Sequence, residues 1–310
     1  LTEALQPMRA GLEMRVQRED WENAAMSASN LSELQVSLGL LDAGVKDGQQ
    51  AVEYADRSGD VFRRMGIRTT AADALLQRQR PGTGADPEEL EQSRRLFATA
   101  EELQQEYAQQ NPRLYSLRGF QYCDLLLVPA EQAAWRCVAQ AAGDGGVSLS
   151  LTAVLAAVHE RGSLMIAWRT PGEPLLDMGL DHLTLARVSL YRWLLAGDRA
   201  AAVPVEHLQP AVEYLRCAGD QEMLTKGLLT AAVVAFLQGQ RDRCRELLAE
   251  TQLIAERGPM PLMLADVHLH RARLLQDAEE LTRAKELIHK HHYGRRFEEL
   301  ADAERLVNGE

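Results

Sequence analysis

The residues best suited to metal chemistry are five histidines near the C-terminus: His268, His270, His289, His291 and His292. Two ligands on one helix need a spacing of three or four residues to reach the same metal ion. Among these histidines, only the pair His289 and His292 has this spacing, and two ligands alone do not make a metal site. The sequence therefore predicts no metal site. The segment is interpreted as a basic helix end that complements the helix dipole, formed by His289, Lys290, His291, Arg295 and Arg296.

Two further sets of reactive residues do not form catalytic patterns. Asp181 and His182 are neighbours on a predicted helix, where adjacent side chains point in different directions, so they are not a catalytic dyad by themselves. His182 is interpreted as a half-buried packing residue. Cys123 lies in the apolar stretch YCDLLL, where burial keeps a thiol unreactive. The chain has no GxxxxGK[ST] motif to cradle phosphates. We expect no enzyme and no cofactor.

The composition limits the classes of partner. The formal net charge is −11, and an acidic surface repels phosphate backbones, so nucleic acid is not an expected partner. No segment approaches the ~20 apolar residues that a membrane span needs. The four cysteines have no CxxC spacing and predict free, buried thiols in a reducing compartment, so we expect a cytoplasmic protein. Because the chain starts at Leu1, we expect it to be a piece of a longer protein.

The elements that position these residues follow an internal repeat. The segment AVEYADRSGD at 51–60 returns as AVEYLRCAGD at 211–220, four periods of about 40 residues later. A repeat of this length is typical of a stacked array, in which each unit buries its apolar face on its neighbours. Aromatic residues make up only 5 % of the chain, and long alternating β-branched runs are absent. We therefore predict an all-α fold over residues 1–310, a solenoid of antiparallel helical hairpins.

Apolar residues with a period of 3.6, punctuated by Gly and Pro, predict the helices. A first amphipathic helix includes Met8, Leu12 and Val16, and a charged helix at about 296–307 caps the end of the chain. Residues 143–174 are predicted to be an irregular insertion with one extra helix. The predicted hairpins pair 22–40 with 43–58, 60–79 with 87–108, 112–127 with 130–142, 175–196 with 204–218, 221–238 with 241–257 and 261–276 with 278–290.

The turns and the packing positions recur with the same period. The turn inside four hairpins falls at Gly39, Gln79, Gly197 and Gly239, where glycine ends a helix in the left-handed conformation. Asp60 and Asp220 are predicted to cap the next helix. Seven residues before the turn, a small residue lets the partner helix approach closely at Ser32, Ala72 and Ala232. Leu190 breaks this rule.

The first helices of successive hairpins are predicted to line a concave face. Polar residues on such a face are not needed in the core, so they are candidates for binding. An arginine can hold a carboxylate with its planar fork, and a tyrosine offers a rigid amphipathic contact. The candidate residues for a peptide or a small anionic ligand are Asn30, Glu33, Arg68, Thr69, Asp73, Arg118, Tyr122, Arg187 and Tyr191.

This pattern resembles the tetratricopeptide (TPR) repeat, with slightly longer helices than the usual unit of ~34 residues. The segments NAAMSASNLSELQVSLG, ADRSGDVFRRMGIRTTAADALLQ and PRLYSLRGFQYCDLLL resemble the repeats that follow NACHT-type nucleotide-binding domains in bacterial STAND signalling ATPases. The resemblance covers residues 20–294. It implies a TPR-like α-α superhelix that serves as the sensor arm, with the nucleotide-binding domain upstream.

Three functional hypotheses follow. The first is a non-enzymatic scaffold that recognises a protein or peptide in its groove. The second is a small-molecule sensor with a compact pocket near the irregular insertion at 143–174. The third is an enzyme that uses a metal at the histidine-rich end.

Overall fold

Fourteen α-helices form the regular structure of this computed structural model, which describes residues 1–79, 87–139, 149–170, 172–197 and 200–308. No β-strand occurs in those ranges, so the all-α prediction is confirmed. The helices are α1 Leu5–Gln17, α2 Trp21–Ser37, α3 Leu41–Ser58, α4 Val61–Arg78, α5 Pro87–Tyr107, α6 Ser116–Ala139, α7 Leu149–Ala167, α8 Leu175–Ala196, α9 Leu208–Ala218, α10 Gln221–Leu237, α11 Arg241–Arg257, α12 Pro261–Leu275, α13 Ala278–Lys290 and α14 Phe297–Asn308.

Local signals explain most of these boundaries. The carboxylate of Asp60 accepts a hydrogen bond from the backbone N–H of Arg63 at 2.7 Å, and Asp220 caps Met223 at 2.9 Å. Both predicted caps are therefore confirmed. The predicted helices 22–40, 43–58, 60–79 and 87–108 correspond to α2–α5 within a few residues. Residues 80–86, RPGTGAD, are rich in Gly and Pro and are predicted to be a loop, but they lie outside the described residues.

The prediction of a third hairpin from 112–127 and 130–142 is wrong. Pro129 lies between these two predicted helices, and a proline lacks the N–H for an internal helical hydrogen bond. The structure instead has one long helix, α6, with Pro129 inside it. The flanking residues Leu127, Ala130 and Ala134 are all buried in one apolar cluster, and this packing stabilises the helix through the proline. The partner of α6 in the third hairpin is therefore α7.

Helix α7 occupies most of the segment that was predicted to be an irregular insertion. It runs from Leu149 to Ala167 and places Leu155, Val158 and Met165 in the same buried cluster as α6 and α8. Residues 143–148 and 171 of the predicted insertion lie outside the described residues, as do residues 140–142 of the predicted helix 130–142. The helical part of the segment is thus a core element and not a surface addition.

The chain divides into two compact units. Unit 1 comprises Leu1–Leu114, Pro259–Leu262 and Leu287–Phe297, and unit 2 comprises Tyr115–Gly258, Met263–Glu286 and Glu298–Glu310. In unit 1, the hairpins α2–α3 and α4–α5 pack together through α3–α4 and α2–α4 contacts. In unit 2, the hairpins α6–α7, α8–α9 and α10–α11 pack in the same way, with α6–α8 and α8–α10 contacts between first helices. The architecture is therefore repeat-like and compatible with a solenoid.

Small residues bring the two helices of each hairpin of unit 1 together. Ser32 and Ala72 have no exposed surface, as their place before the turn predicts. The hydroxyl of Ser32 donates to the carbonyl of Gly44 across the first hairpin at 2.7 Å. In the second hairpin, Ser93 on α5 donates to the carbonyl of Ala72 on α4, also at 2.7 Å. A hydroxyl that bonds to the opposite backbone requires the close approach that a small side chain permits.

Unit 1 also contains a contact between residues far apart in the sequence. The Nδ1 atom of His291 lies 3.0 Å from the carbonyl oxygen of Gly39, across 252 positions of the chain. In a simple linear array each repeat contacts only its neighbours. Residues 287–297 instead pack against the turns of the first two hairpins, at Gly39 and Gln79. Unit 1 is therefore more than a run of consecutive hairpins.

Within the described ranges, no helix combines the length and the apolar character that crossing a membrane requires.

Candidate functional site

The predicted site residues of unit 1 lie on α2 and α4. Asn30 and Glu33 are exposed on α2, and Asp73 is half-buried on α4. Glu33 accepts a hydrogen bond from the hydroxyl of Thr70 at 2.9 Å, which links the two first helices. Asp73 accepts one from the side-chain amide of Gln77, one turn further along α4. The first helices of unit 1 thus share polar side chains that include the carboxylates of Glu33 and Asp73.

Arg68 and Thr69 pack between helices. The Nη2 atom of Arg68 donates to both carboxylate oxygens of Asp56 on α3, at 2.7 and 2.9 Å, and Nη1 donates to the carbonyl of Arg64. Thr69 is fully buried, and its hydroxyl donates to the carbonyl of Gly66. Arg68 therefore neutralises a carboxylate of the preceding hairpin, and Thr69 fills the space between helices.

In unit 2, the predicted residues Arg118 and Tyr122 lie half-buried on α6. The guanidinium of Arg161, on α7, stands 4.8 Å from the centre of the Tyr122 ring. Arg161 is buried, so this cation–π contact forms largely away from water, where such contacts are strongest. Tyr122 therefore helps to hold the third hairpin together.

The other two predicted residues of unit 2, Arg187 and Tyr191, belong to a buried ionic cluster between α6 and α8. Arg187 donates to Asp124 at 2.6 Å and to Glu131 at 3.4 Å, and the Tyr191 hydroxyl accepts from its Nε at 3.2 Å. The side chains of Arg187, Asp124 and Glu131 are 9 %, 4 % and 8 % exposed. Burial raises the pKa of Tyr191, so this hydroxyl stays protonated. The cluster fixes the position of one first helix against the next.

A second buried ion pair lies where α7 ends and α8 begins. Arg169 donates to the carboxylate of Asp181 and to the carbonyl of Asp177, whose own side chain accepts from Ser116. The Nε and Nη1 atoms of Arg169 and Oδ1 of Asp181 are buried without a hydrogen-bond partner. Burial raises the pKa of Asp181 to about 6, although Arg169 acts in the opposite direction. Unpaired buried polar atoms are costly, and most buried polar atoms in proteins bond to another protein group or to ordered water.

His182 faces away from Asp181, as the sequence predicts for adjacent helical residues. Its Nδ1 atom lies 3.0 Å from Nδ1 of His207, the residue before α9. The ring of Tyr214, on α9, stacks on His182 with the ring centres 5.8 Å apart. The pKa of His182 is lowered, first by burial and then by the charges of His207 and Arg169. The two histidines therefore join α8 to the start of α9.

The histidines near the C-terminus have separate partners. His268 pairs with Glu280, His270 bonds to the carbonyl of Asp266 at 2.7 Å, and His292 lies 3.2 Å from Asp42. Among the residues that the structure describes, no group of three or more His, Cys, Asp or Glu side chains is arranged to hold a metal ion. The donor groups of this segment are engaged in packing contacts.

The thiols are free, as the sequence predicts, but not all of them are buried. Cys123 and Cys244 are buried, Cys137 is half-buried and Cys217 is exposed. Burial raises the pKa of the Cys244 thiol, which keeps it in its unreactive, protonated form.

A comparison of the chain with protein-family models gives no matching family, and a comparison with curated proteins gives no matching relative. The resemblance to TPR repeats and to the repeats of STAND proteins therefore stays a prediction.

Sequence reasoning missed the partners of the predicted site residues. Asp124 and Glu131 stand seven positions apart, two helical turns, and so share one face of α6. Because a helix break is predicted between Asp124 and Glu131, the sequence pattern does not place the two residues on one helix face. No local signal connects His182 to His207, because their contact depends on where α9 begins: residue 208, and not the predicted 204.

Proposed function

We propose that this chain is a non-enzymatic scaffold that recognises a protein or peptide on its first helices. The observation that carries the proposal is the contact of successive first helices, α2 with α4 in unit 1 and α6 with α8 in unit 2. Helices that pack side by side in this way present their outward residues as one surface. Solenoids use such extended surfaces for binding.

The charge on this surface favours a basic partner segment. The guanidinium groups of Arg68 and Arg187 are already paired with carboxylates of the chain itself. They are therefore not expected to bind a carboxylate of the ligand. Glu33 is exposed, and the chain carries a net charge of −11. Complementary charge steers association and excludes wrong partners. The proposed ligand is therefore a protein segment that carries Lys or Arg, held along α2 and α4.

The resemblance stated for residues 20–294 extends this proposal. A scaffold of this kind serves as the sensor or partner-binding arm of a bacterial STAND-type protein, in the cytoplasm, with a NACHT-type nucleotide-binding domain upstream. In such a protein the arm supplies recognition and the attached domain supplies nucleotide chemistry.

A displayed library of random peptides tests the proposal. We expect selected peptides to be rich in Lys and Arg, and Glu33→Lys to weaken their binding at least tenfold, because it replaces an attraction with a repulsion. Glu53→Lys is the matched control, since Glu53 is exposed on the second helix α3. It is expected to change the affinity less than twofold. No saturable peptide, or equal losses in both variants, would contradict the proposal.

A small-molecule sensor is the second candidate, and the Arg169–Asp181 pair is the observation that favours it. Two donors and one acceptor are buried there without a partner. They lie in unit 2 at the end of the segment 143–174, where the sequence analysis places a compact pocket. A small ligand with both an acceptor and a donor group satisfies all three atoms, and buried polar groups that gain partners give specificity.

A thermal-shift screen with a panel of polar metabolites tests this second candidate. A ligand at a hundred times its Kd stabilises the folded chain by about 2.7 kcal/mol, which raises the Tm by several degrees. Arg169→Lys removes the planar fork and is expected to abolish the shift. Arg243→Lys, at an exposed position in the same unit, is expected to preserve it. A shift that persists in Arg169→Lys would place the ligand elsewhere.

A further inference from the structure

The contact between His182 and His207 joins two imidazole rings through their Nδ1 atoms. Their Nδ1 atoms lie 3.0 Å apart, and their ring centres lie 5.2 Å apart, so both nitrogens stand between the two rings. In a neutral imidazole one nitrogen donates and the other accepts. A hydrogen bond of this kind therefore needs one donor Nδ1 and one acceptor Nδ1.

Counting protons shows when this bond exists. With both rings neutral, one Nδ1–H donates to the other Nδ1. One additional proton makes the donor ring an imidazolium, which retains the bond and strengthens it. A second additional proton removes the acceptor, because both nitrogens of a protonated ring are donors. Two donors and two positive charges then face each other.

The surroundings oppose this second proton. Burial, the charge of His207 and the charge of Arg169 all lower the pKa of His182. From α9, Tyr214 stacks on the ring of His182. On α7, the pKa of His159 is lowered as well, first by burial and then by the charges of Arg192 and His207. Asp181, beside His182 on α8, is paired with Arg169.

The two histidines lie where they can affect the attachment of one short helix, α9. His207 immediately precedes α9, which has only 11 residues, and a helix of this length is marginal without tertiary contacts. Leu208, Ala211 and Leu215 are buried and also anchor α9. We propose that His182 and His207 form a proton-operated clasp: up to one extra proton holds the start of α9 against α8, and a second releases it.

The direction of the pH dependence follows from the lowered pKa of His182. The unfolded chain binds a proton near the ordinary value of 6.5, while the folded chain resists it. The stability from the clasp is therefore fully present above pH 6.5 and is lost as the pH falls. Asp181 acts with the opposite sign, because its pKa is raised to about 6 and its protonation relieves the buried charge. Global melting mixes the two effects, so the test needs a local measurement.

Amide hydrogen exchange of the full 310-residue chain at pH 7.5, 6.5 and 5.5 measures the local opening of α9. After correction for intrinsic rates, we expect opening of residues 207–218 to increase up to about tenfold per pH unit below the His182 transition, the limit for one linked proton. Exchange in α10 is expected to change less than twofold. His182→Gln is expected to flatten the response. His292→Gln, which removes a largely exposed histidine of unit 1, is expected to retain it.

A second measurement uses the wild-type chain and does not depend on the folding of a variant. With ¹⁵N-labelled histidine, the pair is expected to show a scalar coupling across the N–H···N bond at pH 7.5 that disappears at acid pH. Absence of the coupling at pH 7.5, or a pH-independent exchange rate for residues 207–218, overturns the proposal. A change in either signal on addition of EDTA also overturns it, because a metal and not a proton would then link the rings.

Discussion

Replacing Gly294 with alanine is expected to lower the free energy of unfolding by about 3 kcal/mol or more, an unusually large effect for one methyl group. A Cβ atom at this position would lie 1.7 Å from the carbonyl oxygen of Gln79 and 2.3 Å from that of Arg78. Both atoms belong to the backbone, so no side-chain rotation relieves the overlap. Residues 287–297 must then move away from the second hairpin. Urea denaturation at equilibrium measures the loss.

Gly11→Ala is the matched control in the same unit. Gly11 lies inside α1, and a Cβ atom added there meets nothing within 4 Å. Alanine is the better helix former, so this variant is expected to be more stable than the wild type by about 0.5–1 kcal/mol. If Gly294→Ala stayed within 1 kcal/mol of the wild type, residues 287–297 would not pack on Gln79 as described.

Gly39 is constrained twice, by the conformation of its own turn and by residues that are distant in the sequence. Its φ of +71° is the left-handed conformation that the hairpin turn predicts. A Cβ atom there would also lie 2.5 Å from the ring of His291 and 2.7 Å from Pro261. The sequence indicates the first reason for a glycine, because a turn is local. It does not indicate the second, because the residues that close on Gly39 come from the other end of the chain.

The same distinction explains why the helices of the hairpins were predictable. Helix ends depend on residues a few positions apart, such as Asp60 and Arg63, or Asp220 and Met223. Turn glycines at 39, 197 and 239 adopt φ values of 71°, 70° and 77°, as expected for helix ends. The repeat adds a second, independent source of information, since each hairpin restates the pattern of the previous one.

At Pro129, the local sequence pattern predicts a helix end that the structure does not have. A proline inside a helix costs about 3 kcal/mol, so a break is the correct expectation for an isolated segment. Around it, Leu127, Ala130 and Ala134 are almost completely buried, and their packing outweighs the local preference. The incorrectly predicted helix break also concealed the partners of a candidate site residue, Arg187. A continuous α6 aligns Asp124 with Glu131, and neither was identified as a partner of Arg187.

The sequence pattern predicts polar candidate residues on the first helices, but it does not show the partners of those residues. Arg68 reaches Asp56 on the preceding helix, and Arg187 reaches two residues on α6. Such pairs depend on the rotation and register of two helices, which no single helical pattern specifies. The exposed residues Asn30 and Glu33 needed no such information. Their placement therefore follows from the sequence more directly than that of the arginines.

Replacement of Arg187 by methionine is the second change expected to have a large effect, a loss of about 3–5 kcal/mol. Methionine preserves much of the side-chain volume but removes the charge that compensates Asp124 and Glu131. Both carboxylates are nearly inaccessible to water, so solvent does not replace the guanidinium. Removing one member of a buried ion pair costs more than the pair contributes, because the remaining charge stays desolvated. Equilibrium unfolding in urea measures the effect.

Arg216→Met is the control for the loss of an arginine–carboxylate pair at the surface of the same unit. Arg216 bonds to Glu250 at 2.9 Å, but the two side chains are 43 % and 32 % exposed. Water compensates exposed charges, so this variant is expected to lose less than about 1 kcal/mol. Similar losses in the two variants would mean that the Arg187 cluster is solvated and does not hold α6 against α8.

The pH dependence of Arg187→Met separates charge from packing. Without Arg187, the pKa values of Asp124 and Glu131 are expected to rise, because burial then opposes ionisation with less compensation. The folded variant takes up protons more readily than the unfolded chain, so its deficit relative to the wild type is expected to shrink between pH 8 and pH 5. The double variant Arg187→Met with Asp124→Asn is expected to recover part of the loss at pH 8. A deficit that stays constant with pH and is not relieved by Asp124→Asn would instead assign the effect to packing around the missing guanidinium.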